Sequence, residues 1–146
     1  MSSNPLKVSV KYHADITPLT KTKRGDWIDL RAAETVKMKA GEFKLISLGV
    51  SMKLPSGYEA VIVPRSSTFK TWGIIQTNHF GVIDNSYSGT NDIWKFPAYA
   101  TRDCVIEKDS RICQFRLQER MECIEFTTVD QLDLSDRGGF GSSGIK

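Results

Sequence analysis

Residues 45–63 read LISLGVSMKLPSGYEAVIV and contain two apolar runs separated by a turn. The runs, at 45–54 and 58–63, are rich in the β-branched and aromatic residues that strands favour. Between them, Leu54-Pro55-Ser56-Gly57 contains the proline and glycine that tight turns use. This stretch predicts two short strands joined by a turn.

Similar short runs continue on both sides of this stretch. Apolar residues alternate near the start of the chain at Leu6, Val8, Val10 and Tyr12. Further β-type runs follow at 74–77, 93–100, 111–117 and 124–129. Many short strands at close spacing, with little helical periodicity, predict an all-β sandwich, barrel or jelly roll.

Composition limits the domain organisation and the classes of partner. A chain of 146 residues fits one domain, with residues 1–130 expected to form it and the glycine-rich residues 131–146 expected to be a mobile arm. The formal charge of +3 comes from interleaved signs, so no nucleic acid or membrane partner is expected. No signal peptide or spanning segment is apparent, which favours a cytoplasmic protein. Three cysteines are expected to be reduced and buried: Cys104, Cys113 and Cys123.

Two segments carry groups suited to chemistry. GVIDNSYSG at 81–89 places Asp84 and Tyr87 three residues apart between glycines, which we interpret as a tight β-hairpin at a ligand site or, alternatively, as an ordinary turn. Pro64-Arg65-Ser66-Ser67 precedes the one predicted helix, which Ser66 or Ser67 would cap and which would stop at Gly73. A guanidinium, hydroxyls and helix-start amides suit an anionic phosphate, although a capped surface helix is the alternative.

The tail sequence GFGSSG at 139–144 matches the letters of a dinucleotide-binding turn. That motif must follow a strand and begin a helix, whereas only two residues remain here. A Gly/Ser segment with Arg137 and Phe140 instead suggests a flap that closes over a ligand, with a disordered tail as the alternative.

Residues 90–99, TNDIWKFPAY, resemble a branch of the trimeric dUTPase family found in Bacillus-type bacteria and their phages, and five segments, in order, resemble the motifs of that family. They are Asp29-Leu30-Arg31-Ala32, then Pro64-Arg65-Ser66-Ser67, then residues 78–89, then Arg111-Ile112-Cys113-Gln114-Phe115, and finally residues 137–144. The resemblance implies a jelly-roll-like β-barrel with one short helix and a flexible C-terminal arm. It also implies hydrolysis of dUTP to dUMP and pyrophosphate, which limits uracil incorporation into DNA and supplies dUMP for thymidylate synthesis.

The resemblance also implies individual roles. Asp84 would hold the water that attacks the α-phosphate, and Asp29 would contact Mg²⁺ through water while the triphosphate binds the metal directly. Arg111 could be structural, paired with an acid near the site. The implied phosphate-binding residues are Arg65, Ser66, Ser67, Gln114, Arg137, Gly141, Ser142 and Ser143. The implied nucleoside-binding residues are Asn78, Gly81, Val82, Ile83, Tyr87 and Phe140.

In the family, three subunits of a homotrimer share each site. The last segment of this chain is two residues shorter than the usual form in the family, and our hypothesis is that Trp94 or Phe96 covers the uracil if Phe140 does not reach it; buried strand aromatics are the alternative. Two other functions remain open at this level. One is a dCTP deaminase on the same fold, and the other is a nucleotide-binding regulator in which dUTP controls association with a partner protein.

Overall fold

The computed structural model describes residues 4–141 and 144–146. Its strands are β1 (Ser9–Tyr12), β2 (Ile28–Arg31), β3 (Val36–Met38), β4 (Phe43–Ser47), β5 (Val50–Lys53), β6 (Tyr58–Pro64), β7 (Ile74–Gln76), β8 (Gly81–Ile83), β9 (Lys95–Ala100), β10 (Cys104–Ile106) and β11 (Arg111–Glu119). One helix, α1 (Thr68–Trp72), lies between β6 and β7. The prediction of an all-β fold with one short helix is confirmed.

The strands form four antiparallel sheets, in the orders β1-β5, β10-β3, β2-β11-β6-β8 and β4-β9-β7. Over the described residues these sheets do not close into a single barrel. The long central strands β6 and β11 pair over seven positions, from Cys113 opposite Pro64 to Glu119 opposite Tyr58. This four-stranded sheet matters most for function, because four of the five motifs lie on its strands or directly follow one of them.

The predicted turn before β6 is present. The amide of Tyr58 donates to the carbonyl of Pro55 at 3.1 Å. Gly57, two residues into the turn, has a φ of 83°, a conformation that glycine adopts without strain. The preceding run is not one strand as expected, since β4 ends at Ser47 and β5 begins at Val50 in another sheet.

The helix begins and ends where the sequence indicates, but its cap differs. Gly73 follows its last turn with a φ of 70°. Ser67 occupies the N-terminal capping position without a side-chain hydrogen bond. The side chain of Thr68, the first helical residue, accepts through Oγ1 from the amide of Arg65 at 2.9 Å and donates to the carbonyl of Ile112 at the same distance. Ser67 is therefore at the predicted cap position but without a capping bond, and Thr68 ties the start of the helix to β11.

The core lies between the sheets, and its largest side chains are aromatic. Trp94 and Phe96 are both fully buried, and the Trp94 ring meets that of Phe115 edge to face at 5.1 Å. The hypothesis that Trp94 or Phe96 covers a bound base is therefore wrong. Both side chains are held inside the fold, where their apolar area stabilises the core.

Three other expectations need correction. Residues 124–129 do not form a strand, because no neighbouring strand pairs with them, and they lie exposed. Only Cys113 of the three cysteines is buried, whereas Cys104 is half-buried and Cys123 is exposed. Burial raises the pKa of the Cys113 thiol well above its usual value and keeps it neutral. The division of the chain at residue 130 stays a prediction.

Candidate active site

The first group of motif residues gathers at one end of the four-stranded sheet. Gln114 on β11 lies opposite Asp29 on β2 and opposite Val63 on β6. Arg65 follows β6, and its Nε lies 3.1 Å from Oδ1 of Asp29. Gln114 donates from Nε2 to the carbonyl of Pro64 at 3.1 Å. Three motifs distant in sequence thus meet because their strands are neighbours.

Asp29 is the electrostatic centre of this end. Its Oδ1 faces Arg65, and its Oδ2 lies 3.5 Å from NH1 of Arg111, so the pairing expected for Arg111 is present. These side chains are a quarter to a half exposed, and such ion pairs contribute at most about 1 kcal/mol to folding. Their main consequence is to hold two guanidinium groups together, with exposed Ser66 and half-buried Ser67 next in the chain. Such a group suits a polyanion.

The second group surrounds Asp84, which directly follows β8. Strand β8 pairs with β6, with Gly81 opposite Ile62 and Ile83 opposite Ala60. The hairpin expected at residues 81–89 is therefore wrong, because the next strand, β9, pairs with β4 and β7 instead. The segment after β8 turns back, with the amide of Tyr87 donating to the carbonyl of Asp84 at 2.9 Å.

The carboxylate of Asp84 is exposed and held by one neighbour. The amide of Ser86 donates to Oδ2 at 2.8 Å, and the Ser86 hydroxyl donates to the same oxygen. The hydroxyl first, and then the amide, lower the pKa of Asp84 below its ordinary value. Among residues 4–141 and 144–146, no donor binds Oδ1. One oxygen is thus fixed, and the other is available to accept a hydrogen bond from water.

Other expected nucleoside-binding residues lie beside this group. Asn78 lies beside the start of β8. Its Nδ2 is 3.2 Å from the position that a Cβ on Gly81 would occupy. Tyr87 is partly exposed, and its hydroxyl donates to the carbonyl of Ile93 at 3.0 Å. Val82 is exposed, whereas Gly81 is buried and Ile83 half-buried.

The arm residues do not join either group within one chain. Among the residues that the structure describes, Arg137 donates only to the carbonyl of its neighbour Gly138, at 3.2 Å, and Phe140 is fully exposed with a φ of 53°. Gly141 is exposed as well, with a φ of 89°. The expected contacts of Ser142 and Ser143 lie outside the described residues.

Sequence reasoning missed two residues that organise the site. Ser86 fixes Asp84, and its position two residues after an aspartate is the pattern of a local side-chain turn. Gln76 is buried beside Asn78 and Gly81. The sequence feature that could have identified it is a polar residue inside the β-type run 74–77.

The residues near Asp29 fit a metal that arrives with its ligand. No group of three or more His, Cys, Asp or Glu side chains that could hold a metal ion exists in the described part of the chain. Mg²⁺ at nucleotide sites takes one or two carboxylates together with phosphate oxygens and waters. A single carboxylate between two arginines suits that arrangement, in which the triphosphate supplies most of the ligands.

Comparison with known proteins decides the family. The model of the dUTPase family matches residues 14–144. This chain belongs to the dUTPase family. Its relatives include the SPbeta prophage-derived deoxyuridine 5'-triphosphate nucleotidohydrolase YosS of Bacillus subtilis, which is 56% identical over 142 residues, covering 97% of this chain and 100% of that protein. The resemblance to a Bacillus and phage branch is confirmed.

Solved dUTPase structures share the fold. A mutant of the phage 80alpha dUTPase has a TM-score of 0.78 at 20% identity, covering 94% of this chain and 98% of that one. A mutant of the dUTPase of phage phi11 of S. aureus has a TM-score of 0.73 at 16% identity, covering 88% and 99%, and coordinates a structural Mg(II) ion. The prediction of the dUTPase fold is confirmed, and family membership decides against the dCTP deaminase alternative. No helix in the described residues is long and apolar enough to cross a membrane.

Proposed function

We propose that this dUTPase hydrolyses dUTP to dUMP and pyrophosphate with Asp84 as general base, at sites shared between the subunits of a homotrimer. Family membership supports the reaction. One observation carries the choice of base: Ser86 holds Oδ2 of Asp84 through its amide at 2.8 Å and its hydroxyl, while Oδ1 has no donor among the described residues. A carboxylate with one fixed and one free oxygen can orient a water molecule.

The reaction needs little of Asp84 beyond holding that water and taking a proton. The water oxygen forms a bond to the α-phosphorus, its proton passes to Oδ1, and the bond from the α-phosphorus to the bridging oxygen of the pyrophosphate breaks. The lowered pKa of Asp84 keeps it ionised at neutral pH, ready to accept. The exposed position of the carboxylate leaves it open to solvent until a ligand covers it.

The arginine end of the sheet supplies the phosphate grip. We assign Arg65, Ser66, Ser67 and Gln114 to the phosphate oxygens, with Arg137, Gly141, Ser142 and Ser143 closing from the arm. Asp29 would contact Mg²⁺ through water. Mg²⁺ bound with the triphosphate supplies positive charge to the oxygens of the leaving pyrophosphate. The arginines add to that charge without leaving their pairing with Asp29.

The Asp84 end supplies the nucleoside contacts. The backbone of Gly81, Val82 and Ile83 and the amide of Asn78 would pair with the edge of uracil. Tyr87 would lie against the deoxyribose, where its ring leaves no room for a 2′-hydroxyl. Phe140 of the arm would cover the base, a role that buried Trp94 and Phe96 cannot take.

The spacing of the two ends supports a shared site. Continuing the pairing one position beyond Ile83–Ala60 would put Asp84 opposite Glu59, and Arg65, directly after the end of β6, is six residues from Glu59 in sequence. Six residues of strand span about 20 Å. The base must lie within hydrogen-bonding reach of a water on the α-phosphorus, and a separation of this size favours sites in which Asp84 and Arg65 come from different chains. A closed ring of identical subunits brings the two ends together.

Release of pyrophosphate tests this function. We expect the purified chain with Mg²⁺ to release pyrophosphate from dUTP and much less from dCTP, UTP or dTTP, because a site that pairs polar edges rejects mismatches by roughly 10⁴-fold. Equal release from all four nucleotides would contradict the assigned selectivity. Size determination of the same sample by light scattering tests the trimer.

A further inference from the structure

Gln76, the last residue of β7, is a buried polar side chain with unusual contacts. It is 1% exposed, and its Nε2 donates to the carbonyl of Ile62 at 2.9 Å and to Oδ1 of Asn78 at 2.8 Å. Its own Oε1 is buried without a hydrogen-bond partner in the described residues. A buried acceptor without a partner is unfavourable, and an apolar residue at this position would avoid that cost. The amide nitrogen, by contrast, makes two hydrogen bonds.

The carbonyl of Ile62 fixes which way both amides point. A backbone carbonyl only accepts hydrogen bonds, so the atom of Gln76 facing it must be the NH₂ group. The second hydrogen of this NH₂ reaches Asn78, so the facing atom of Asn78 must be its oxygen. The Nδ2 of Asn78 is consequently turned away from Gln76.

The Nδ2 of Asn78 lies at the start of β8. The position that a Cβ on Gly81 would occupy is 3.2 Å from this Nδ2 and also 3.2 Å from Nε2 of Gln76. No acceptor within residues 4–141 or 144–146 bonds this Nδ2. Asn78 itself is exposed, so its two N–H groups can reach a ligand beside Gly81.

We propose that Gln76 is a positioning residue that fixes Asn78 as a hydrogen-bond donor toward the base and so selects uracil over cytosine. The inference rests on the proposed function, in which Asn78 contacts the base edge. Uracil carries a carbonyl acceptor where cytosine carries an amino donor. A donor held in place matches uracil and opposes cytosine, whereas an amide free to rotate could offer its oxygen to cytosine.

The test replaces the amide by a side chain of similar length. In Gln76→Met, we expect kcat/KM for dCTP relative to dUTP to rise roughly 3- to 10-fold, the worth of about one hydrogen bond. Ser51→Ala is the matched control, because Ser51 is also buried and donates to the carbonyl of Thr90 at 2.7 Å, remote from Asn78 in sequence and sheet. That control should leave the ratio unchanged. In a protein that already carries Asn78→Ala, adding Gln76→Met should not change the ratio of kcat/KM for dCTP to that for dUTP, because Gln76 then has no amide to position.

Asn78→Asp keeps the test decisive if Gln76→Met fails to fold. Gln76 would hold one carboxylate oxygen and leave the other, an acceptor, at the base, so preference should move toward cytosine. The relative affinities of dUMP and dCMP, measured by calorimetry, report the same preference without turnover. An unchanged preference in folded Gln76→Met, or in Asn78→Asp, would overturn the inference. A chain that never hydrolyses dUTP would instead overturn the proposed function.

Discussion

Asp84 follows β8 beside one end of strand β6, next to the pair Ile83–Ala60, and Arg65 directly follows the other end, a separation of about 20 Å for six residues of strand. Arg65 is held at its end by Asp29, and Asp84 is held at the other by Ser86. Each end is organised without the other. In the proposed function, each subunit carries two half-sites, which meet across subunits.

Removal of the proposed base should abolish turnover and spare binding. In Asp84→Asn, the amide keeps the size of the side chain but cannot accept the proton from water. We expect kcat for dUTP to fall by at least about 10²-fold with dUTP affinity within a few-fold of the unmodified chain. Pyrophosphate release and calorimetry measure the two quantities. Full activity of this variant would exclude Asp84 as the base.

The hydroxyl of Ser86 should set the acid limit of activity. It is the largest cause of the lowered pKa of Asp84, and the Ser86 amide adds to it. The carboxylate is the reactive form, so the rate falls as pH drops through this pKa. In Ser86→Ala the pKa of Asp84 should rise, and the acid limb of kcat/KM should move to higher pH. An acid limb that stays in place would show that another group controls it.

Trp94 should matter for stability rather than for base binding. Its side chain is fully buried against Phe115. In Trp94→Ala, the free energy of unfolding should fall by about 3–5 kcal/mol, as for other large core truncations. The exposed Val105 provides a control, since Val105→Ala should change the free energy of unfolding by at most about 0.5 kcal/mol. Denaturant titration measures both, and an unchanged midpoint for Trp94→Ala would contradict the core placement.

The ring of Tyr87 should exclude ribonucleotides. Its hydroxyl donates to the carbonyl of Ile93 at 3.0 Å, which holds the ring in place. Tyr87→Ala should raise kcat/KM for UTP relative to dUTP by at least about 10-fold, because a 2′-hydroxyl would then fit. Tyr87→Phe keeps the ring and loses one hydrogen bond, so its effect should be a few-fold at most. If the unmodified chain, Tyr87→Ala and Tyr87→Phe had the same ratio of kcat/KM for UTP to that for dUTP, Tyr87 would not discriminate between ribose and deoxyribose.

Much of the fold followed from local patterns. The turn at Pro55, the helix end at Gly73 and the strands β6 and β11 depend on residues adjacent in sequence, and the sequence predicted them. Pairing between strands was not predictable in the same way. The segment after Asp84 had the composition of a hairpin, yet β8 pairs with β6 alone, because pairing is decided by partners that are distant in the chain.

The site showed the same division. The motif residues Asp29, Arg65 and Gln114 could be identified from sequence, and their strands bring them together. The roles of Ser86 and Gln76 depend on hydrogen bonds that spacing alone did not reveal. Trp94 was misread because an aromatic residue near a motif has the same appearance in sequence whether it covers a ligand or fills the core.

Mixing two inactive variants tests the shared site most directly. Asp84→Asn and Arg65→Ala can be coexpressed with different tags, and trimers containing both can be isolated. In a ring whose sites take Asp84 from one subunit and Arg65 from the next, each mixed trimer has one of its three sites intact, so we predict about a third of the unmodified activity. Activity no higher than that of either variant alone would contradict the account, because it would mean that both residues must come from the same chain.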